Sequence, residues 1–204
     1  MSSRHRTASA ELEGRILEAA LQLLGERGVE ALTVRGIAAR ANVAPMGIYN
    51  HFDGKMGIYE ALWVDGFDRL TSSMNDVELD GDAKIDMINF GRRYRAFALN
   101  NPAHYRLMFI DNVSGFVPSP EAAVASGRAL QILVNRVEGS QQIGHFPKDR
   151  PIDLAQAFWA TVHGFVSLEL LRVNFAADTD GTFDYLLLAV YEGYQARATR
   201  ETNL

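Results

Sequence analysis

The stretch Leu32-Thr33-Val34-Arg35-Gly36-Ile37-Ala38-Ala39-Arg40-Ala41-Asn42-Val43-Ala44-Pro45-Met46-Gly47-Ile48-Tyr49-Asn50-His51-Phe52-Asp53-Gly54-Lys55 decides the fold. Thr33 stands where a helix N-cap belongs, and Val34, Ile37, Ala38 and Ala41 recur at three- and four-residue steps as a short amphipathic stripe. Gly36 occupies the place of a capping-box Glu, so this helix start lacks the second capping bond. Pro45 suits the first turn of a further helix, where its missing N–H costs nothing. That third segment, Pro45 to Phe52, is barely two turns long. Asp53 and Gly54 then break the pattern, and Asp53 is the expected N-cap of a long helix that starts at Lys55 and carries Ile58, Leu62, Phe67, Leu70 and Met74.

Upstream, Leu12, Ile16, Ala19, Ala20, Leu23 and Leu24 form the stripe of a first helix that ends near Gly25 and Gly28. Two short helices joined by a tight turn and braced by a preceding helix place a recognition helix in the DNA major groove. A structural helical hairpin has the same spacing, so the side chains must discriminate. A structural hairpin covers its exposed face with Glu and Lys. Met46, Gly47, Tyr49, Asn50 and His51 instead present small, aromatic and hydrogen-bonding groups, with no acid to repel phosphate.

Bulk properties frame this reading. With 204 residues, 48% of them hydrophobic, the chain has room for a small head and a larger body with a true core. The absence of cysteine excludes disulfides, thiolate metal sites and a cysteine nucleophile, and suits a reducing cytoplasm. No apolar h-region follows Met1 to Arg6 and no run of 18 apolar residues occurs, so neither export nor membrane insertion is expected. The net charge of −5 divides unevenly: residues 1–55 hold seven Lys/Arg against six acids, the remainder 13 against 19. An acidic body is repelled by phosphate, so DNA contact falls to a few placed groups in the head.

Beyond residue 75 the periodicity stays helical. Asp82 to Leu99 carries Ile85, Ile88, Phe90, Tyr94 and Phe97, and Asn101-Pro102 opens a short helix through Phe109. Asp111 to Ser119 reads as loop, and Ser119-Pro120-Glu121 opens another helix that ends near Gly139. Two apolar helices close the chain, Pro151 to Phe175 and Phe183 to Arg197. The fold class is therefore all-α, about nine helices, with a three-helix head at 1–55 and a larger helical domain at 56–204. The aromatic and sulfur-bearing side chains Trp63, Met87, Phe90, Tyr94, Phe97, Met108, Phe109, Phe158 and Trp159, together with His163, are the expected lining of a largely hydrophobic ligand pocket, although the same spacing suits ordinary core.

The quoted stretch resembles the signature of the tetracycline-repressor (TetR) family, over residues 12–65, with Tyr49-x-His51-Phe52-x-x-Lys55 its most diagnostic part. The resemblance implies DNA contacts at Thr33, Arg35, Pro45, Met46, Gly47, Tyr49, Asn50, His51 and Lys55. Thr33 would serve phosphate at a helix start, and Arg35 a guanine edge or a phosphate. Asn50 would pair with adenine and Met46 touch a thymine methyl, while Tyr49, His51 and Lys55 hold the backbone. Ile48 and Phe52 would be core. Gly36 departs from the acidic residue common in the family at that position. The resemblance further implies a homodimer through the last two helices, with Phe165, Glu169, Arg172, Leu188 and Tyr191 as interface positions. A shorter run, Trp159-Ala160-Thr161-Val162-His163-Gly164, resembles the Trp-x-x-x-His-Gly element of one subgroup of family C-terminal domains.

The expected function is a cytoplasmic, ligand-responsive repressor that leaves a pseudo-palindromic operator when a small hydrophobic inducer binds. Ligand in the body would shift the fourth helix, which begins at Lys55 in the head. An all-helical enzyme and a protein–protein adaptor are the competing classes. Against an enzyme, the chain has no Gly-x-Gly-x-x-Gly, Walker loop, Gly-x-Ser-x-Gly or His-Glu-x-x-His, and its five histidines are scattered at 5, 51, 104, 145 and 163. No catalytic residue, metal or cofactor is expected.

Overall fold

The structure is a computed structural model that describes residues 2–78, 80–111 and 113–202. Among the described residues it is all-helical: α1 Ser2–Arg27, α2 Val34–Ala41, α3 Pro45–Tyr49, α4 Gly54–Asn75, α5 Ala83–Asn100, α6 Pro102–Phe109, α7 Pro120–Gln142, α8 Pro151–Leu170 and α9 Thr179–Thr202, with one 3-10 turn at Val29–Ala31. The helices form two compact units, residues 1–67 with 101–123, and residues 68–100 with 124–204.

In the first unit, α1 lays Ile16, Ala20, Leu23 and Leu24 against Leu32, Ile37, Ala38 and Ala41, and Ile48, Ile58 and Leu62 complete the core. These are the stripes read from the sequence. Thr33 caps α2, its hydroxyl accepting from the Gly36 N–H at 3.0 Å. Asn42 ends α2 in the left-handed region at φ 53°, a conformation Asn tolerates better than most residues. Pro45 takes the first turn of α3 as expected, but α3 stops at Tyr49, short of the expected Phe52, with Asn50 at its C-cap and the chain turning through Phe52, whose N–H bonds the Ile48 carbonyl at 2.8 Å. The 1–67 segment also gathers α6. Leu107 joins its core, and the buried Tyr59 hydroxyl donates to the Leu107 carbonyl at 2.8 Å.

In the second unit, α5 packs on α8 and α9. Gly91 makes the close approach possible: a Cβ there would strike the Leu187 methyl groups. Arg95 ties the three helices, donating to both Glu169 oxygens at 2.7 and 2.8 Å and reaching Asp180 at 2.7 Å. The expected ends of α8 and α9 shift. α8 stops at Leu170 rather than Phe175 because Arg172 turns left-handed at φ 58° and the Val173 N–H returns to the Leu168 carbonyl. α9 begins at Thr179 rather than Phe183 because the Asp178 side chain accepts the Gly181 N–H at 2.9 Å.

Candidate DNA-binding head and sensing unit

Burial divides α3 into two faces. Ile48 is fully buried in the head, whereas Met46 is 67% and Tyr49 58% exposed, with Pro45 and Asn50 exposed beside them. An apolar methionine and a tyrosine held in water have no packing role, so the helix presents them outward. Thr33 and Arg35 are also exposed, at the start of α2. The Thr33 hydroxyl accepts its capping bond and keeps its own proton to donate. From Thr33 to Phe52 no acid occurs, and Arg40 is neutralised by Glu26 through two bonds of 2.9 and 2.5 Å. Arg35 is thus the exposed cation that leads this face. Gly47 and Lys55 are half-buried.

His51 sits differently from its expected place. Its side chain is only 17% exposed, and Nδ1 donates to Glu13 Oε1 at 3.0 Å, with Ser9 Oγ at 3.4 Å. The imidazole is held from α1 through Nδ1, and Nε2 takes no part in that contact. Sequence reading missed Ser9 and Glu13, and also Arg15, which donates to the Ala41 carbonyl at the end of α2 at 2.7 Å. Their one signal was polar placement on a helix whose apolar stripe faces the other helices.

The ten residues expected around a pocket divide between the two units. Trp63, Met108 and Phe109 belong to the first unit. There Trp63 and Phe109 flank Phe67 at 4.5 and 5.3 Å between ring centres, and Met108 is 8% exposed. In the second unit Met87, Phe90, Tyr94, Phe97 and Phe158 are each at most 5% exposed. Tyr94, Trp159 and His163 do converge. The indole N–H donates to the Tyr94 hydroxyl at 3.0 Å, and that hydroxyl lies 3.2 Å from His163 Nδ1. His163 Nε2 lies 3.4 Å from Ser167 Oγ, so each ring nitrogen faces a hydroxyl. Burial holds the His163 pKa below its ordinary value, which favours the neutral imidazole.

The second unit also contains a cleft of about 420 Å³ lined from α4, α5 and α7 by Asn75, Asp86, Met87, Ile132, Arg136 and Ser140 among others. Met87 was expected at a pocket; the α7 residues were not. Of the expected dimer positions, Phe165 and Leu188 are half-buried and Arg172 is exposed. Glu169 is engaged by Arg95. Tyr191 is turned into its own chain, 2% exposed, with its hydroxyl 3.0 Å from His145 Nδ1 and its ring against Phe146. Exposed apolar side chains on the same helices and the loop between them are Leu168, Leu171, Val173, Tyr185 and Phe175, the last 93% exposed.

Among the described residues no group of three His, Cys, Asp or Glu could hold a metal ion, and no helix is long and apolar enough to cross a membrane. A braced two-helix unit whose second helix offers neutral polar groups outward defines a helix-turn-helix regulator. Residues 16–62 match the model of bacterial regulatory proteins of the tetR family, and residues 87–190 match that of the tetracyclin repressor-like C-terminal domain. The chain belongs to the TetR family of transcriptional regulators and is not an enzyme. It is similar to the uncharacterized HTH-type transcriptional regulator Rv0681 of Mycobacterium tuberculosis, 28% identical over 90% of this chain and 82% of that one. It is also similar to the HTH-type transcriptional repressor KstR of Mycolicibacterium smegmatis, 30% identical over 46% of this chain and 47% of that one. Among solved structures, a protein of unknown function from Rhodococcus sp. RHA1 shares the fold with a TM-score of 0.81 at 23% identity, over 90% of this chain and 95% of that one.

Proposed function

We propose that this regulator is a cytoplasmic repressor that binds a pseudo-palindromic operator as a homodimer and releases it when a small hydrophobic ligand occupies the second unit. The observation that carries the reading is the outward face of α3, where Met46, Tyr49 and Asn50 stand in solvent over a buried Ile48. Asn50 and Met46 read base edges, with Pro45 and Gly47 allowing close approach. Thr33, Tyr49 and Lys55 hold phosphates, as does His51 when its ring carries a proton on both nitrogens, and Arg35 reaches a base or the backbone. The functional head is residues 1–55 and the sensing and dimerising part residues 56–204.

Dimerisation follows from the spacing of DNA, since two recognition helices must meet major grooves about 34–36 Å apart. The exposed apolar residues of α8, α9 and their connecting loop support these two helices as the interface, to which Phe165, Arg172 and Leu188 also contribute. The name of the similar protein KstR, a repressor, supports repression over activation. The polar chain Trp159–Tyr94–His163, in which Tyr94 of α5 joins the Trp and His of the Trp-x-x-x-His-Gly run, supports a C-terminal domain of that subgroup, in which these three side chains orient a ligand.

Selection of bound duplexes from a random pool by the purified protein tests the reading. The expected product is a two-fold related pair of half-sites one helical turn apart. A pool that emerges unchanged after selection contradicts it.

A further inference from the structure

We propose that the cleft between the end of α4, the start of α5 and the later half of α7 binds a small carboxylate with an apolar body, and that Arg136 receives its anion. This deepens the ligand-responsive reading above and rests on it.

Arg136 differs from four arginines of the second unit that are closely paired. Arg92, Arg95, Arg128 and Arg197 each reach a carboxylate oxygen within 2.8 Å. The Arg136 guanidinium has no such partner. It lies 4.9 Å over the Phe90 ring, and one Nη makes a long contact of 3.5 Å with the Val77 carbonyl. Its Nε is shielded from water and has no acceptor. A half-buried cation with an unmatched N–H is costly, and a matched anion removes the deficit. Nε and the neighbouring Nη form the edge that a carboxylate grips with two parallel bonds.

The walls select the rest of the ligand. Met87, Ile132 and Ile143 supply apolar surface, and Asn75, Asn135 and Ser140 are neutral. Asp86 lines the same cleft, with one oxygen held by the Asp80 N–H at 2.7 Å. Asp86 attracts the Arg136 guanidinium and its charge opposes a doubly charged phosphate, so a single carboxylate is the better match for this cleft. At roughly 30 Å³ for a water-sized group, 420 Å³ admits on the order of a dozen non-hydrogen atoms.

Calorimetric titration of the full chain, without DNA, tests the site with octanoate and 4-phenylbutanoate as probes, and 1-octanol and octylamine as uncharged and cationic counterparts. At least one carboxylate should bind about tenfold or more tightly than the alcohol, and the amine not at all. Arg136→Gln should erase the preference for carboxylate, and Asp86→Asn should tighten carboxylate binding a few-fold. Asn135→Trp, an exposed position on the rim, should block all probes and covers the case in which the Arg136 variant does not fold. Binding of neither carboxylate, alcohol binding equal to carboxylate binding, or a preference unchanged by Arg136→Gln overturns the proposal. Carboxylate binding that leaves operator affinity unchanged keeps the site and overturns induction. Operator binding without any carboxylate binding overturns the site alone.

Discussion

His51 Nδ1 and Glu13 Oε1 lie 3.0 Å apart across 38 residues of sequence, so a carboxylate on α1 orients an imidazole beside the recognition helix. A negative charge this close to DNA is unfavourable by itself, which makes positioning its reason for being there. Glu13→Gln and Glu13→Ala remove the same charge, but only Gln keeps an oxygen to accept from Nδ1–H. The Ala variant should bind duplex DNA a few-fold more weakly than the Gln variant at equal salt. Equal affinity for the two in fluorescence anisotropy rejects the positioning role.

Gly91 and Gly66 both face close neighbours, yet they should respond differently to alanine. At Gly91 the new Cβ meets the methyl groups of Leu187, itself 1% exposed and without room to move. Overpacking costs about 1–3 kcal/mol, more than the roughly 0.5–1 kcal/mol that Ala regains in a helix. At Gly66 the Cβ meets the sulfur of Met108 at 2.5 Å, a flexible side chain that can turn away. Urea unfolding should show Gly91→Ala clearly less stable than the parent and Gly66→Ala nearly neutral; the reverse order contradicts the packing described.

His163 gives the fold a pH dependence of definite sign. Its folded-state pKa lies below the ordinary value of 6.5 because burial disfavours the imidazolium. Below about pH 6.5 the unfolded chain therefore binds a proton that the folded chain does not, and stability falls as pH falls. This contribution is fully present above pH 7. Thermal melts of the parent and of His163→Gln between pH 7.5 and pH 5.5 should converge at the acid end, relative to their difference at pH 7.5. Parallel curves remove His163 from the account.

Much of the head was legible because its signals are local. The stripe Ile16, Ala20, Leu23, the cap Thr33 and the first-turn Pro45 each act within a few residues, and each sits as its chemistry requires. What the sequence could not reveal arises between distant segments. Tyr191 has the same helical spacing as an interface residue, but His145 and Phe146 draw it inward. Trp63 and Tyr94 are both aromatic residues on apolar helix faces; one packs with Phe67 in the first unit and the other joins Trp159 and His163 in the second. Arg136 carries no signal at all in sequence, since an unpaired guanidinium is recognisable only once its surroundings are known. The boundaries of α8 and α9 moved for a local reason that was readable, the Asp178 cap, and for one that was not, a left-handed Arg172.

The central claim is that α3 lies across a duplex with Asn50 at the bases and Tyr49 at the backbone, and affinities of three proteins for two duplexes test it most directly. The parent, Tyr49→Ala and Asn50→Ala are compared on the selected operator and on a scrambled duplex, at about 0.15 M salt. The parent should prefer the operator about a thousandfold or more. Tyr49→Ala should weaken both duplexes alike, and Asn50→Ala should weaken the operator by about 1–3 kcal/mol while leaving the scrambled duplex nearly unchanged. Equal losses on both duplexes for both variants, or a parent with no preference, would contradict it.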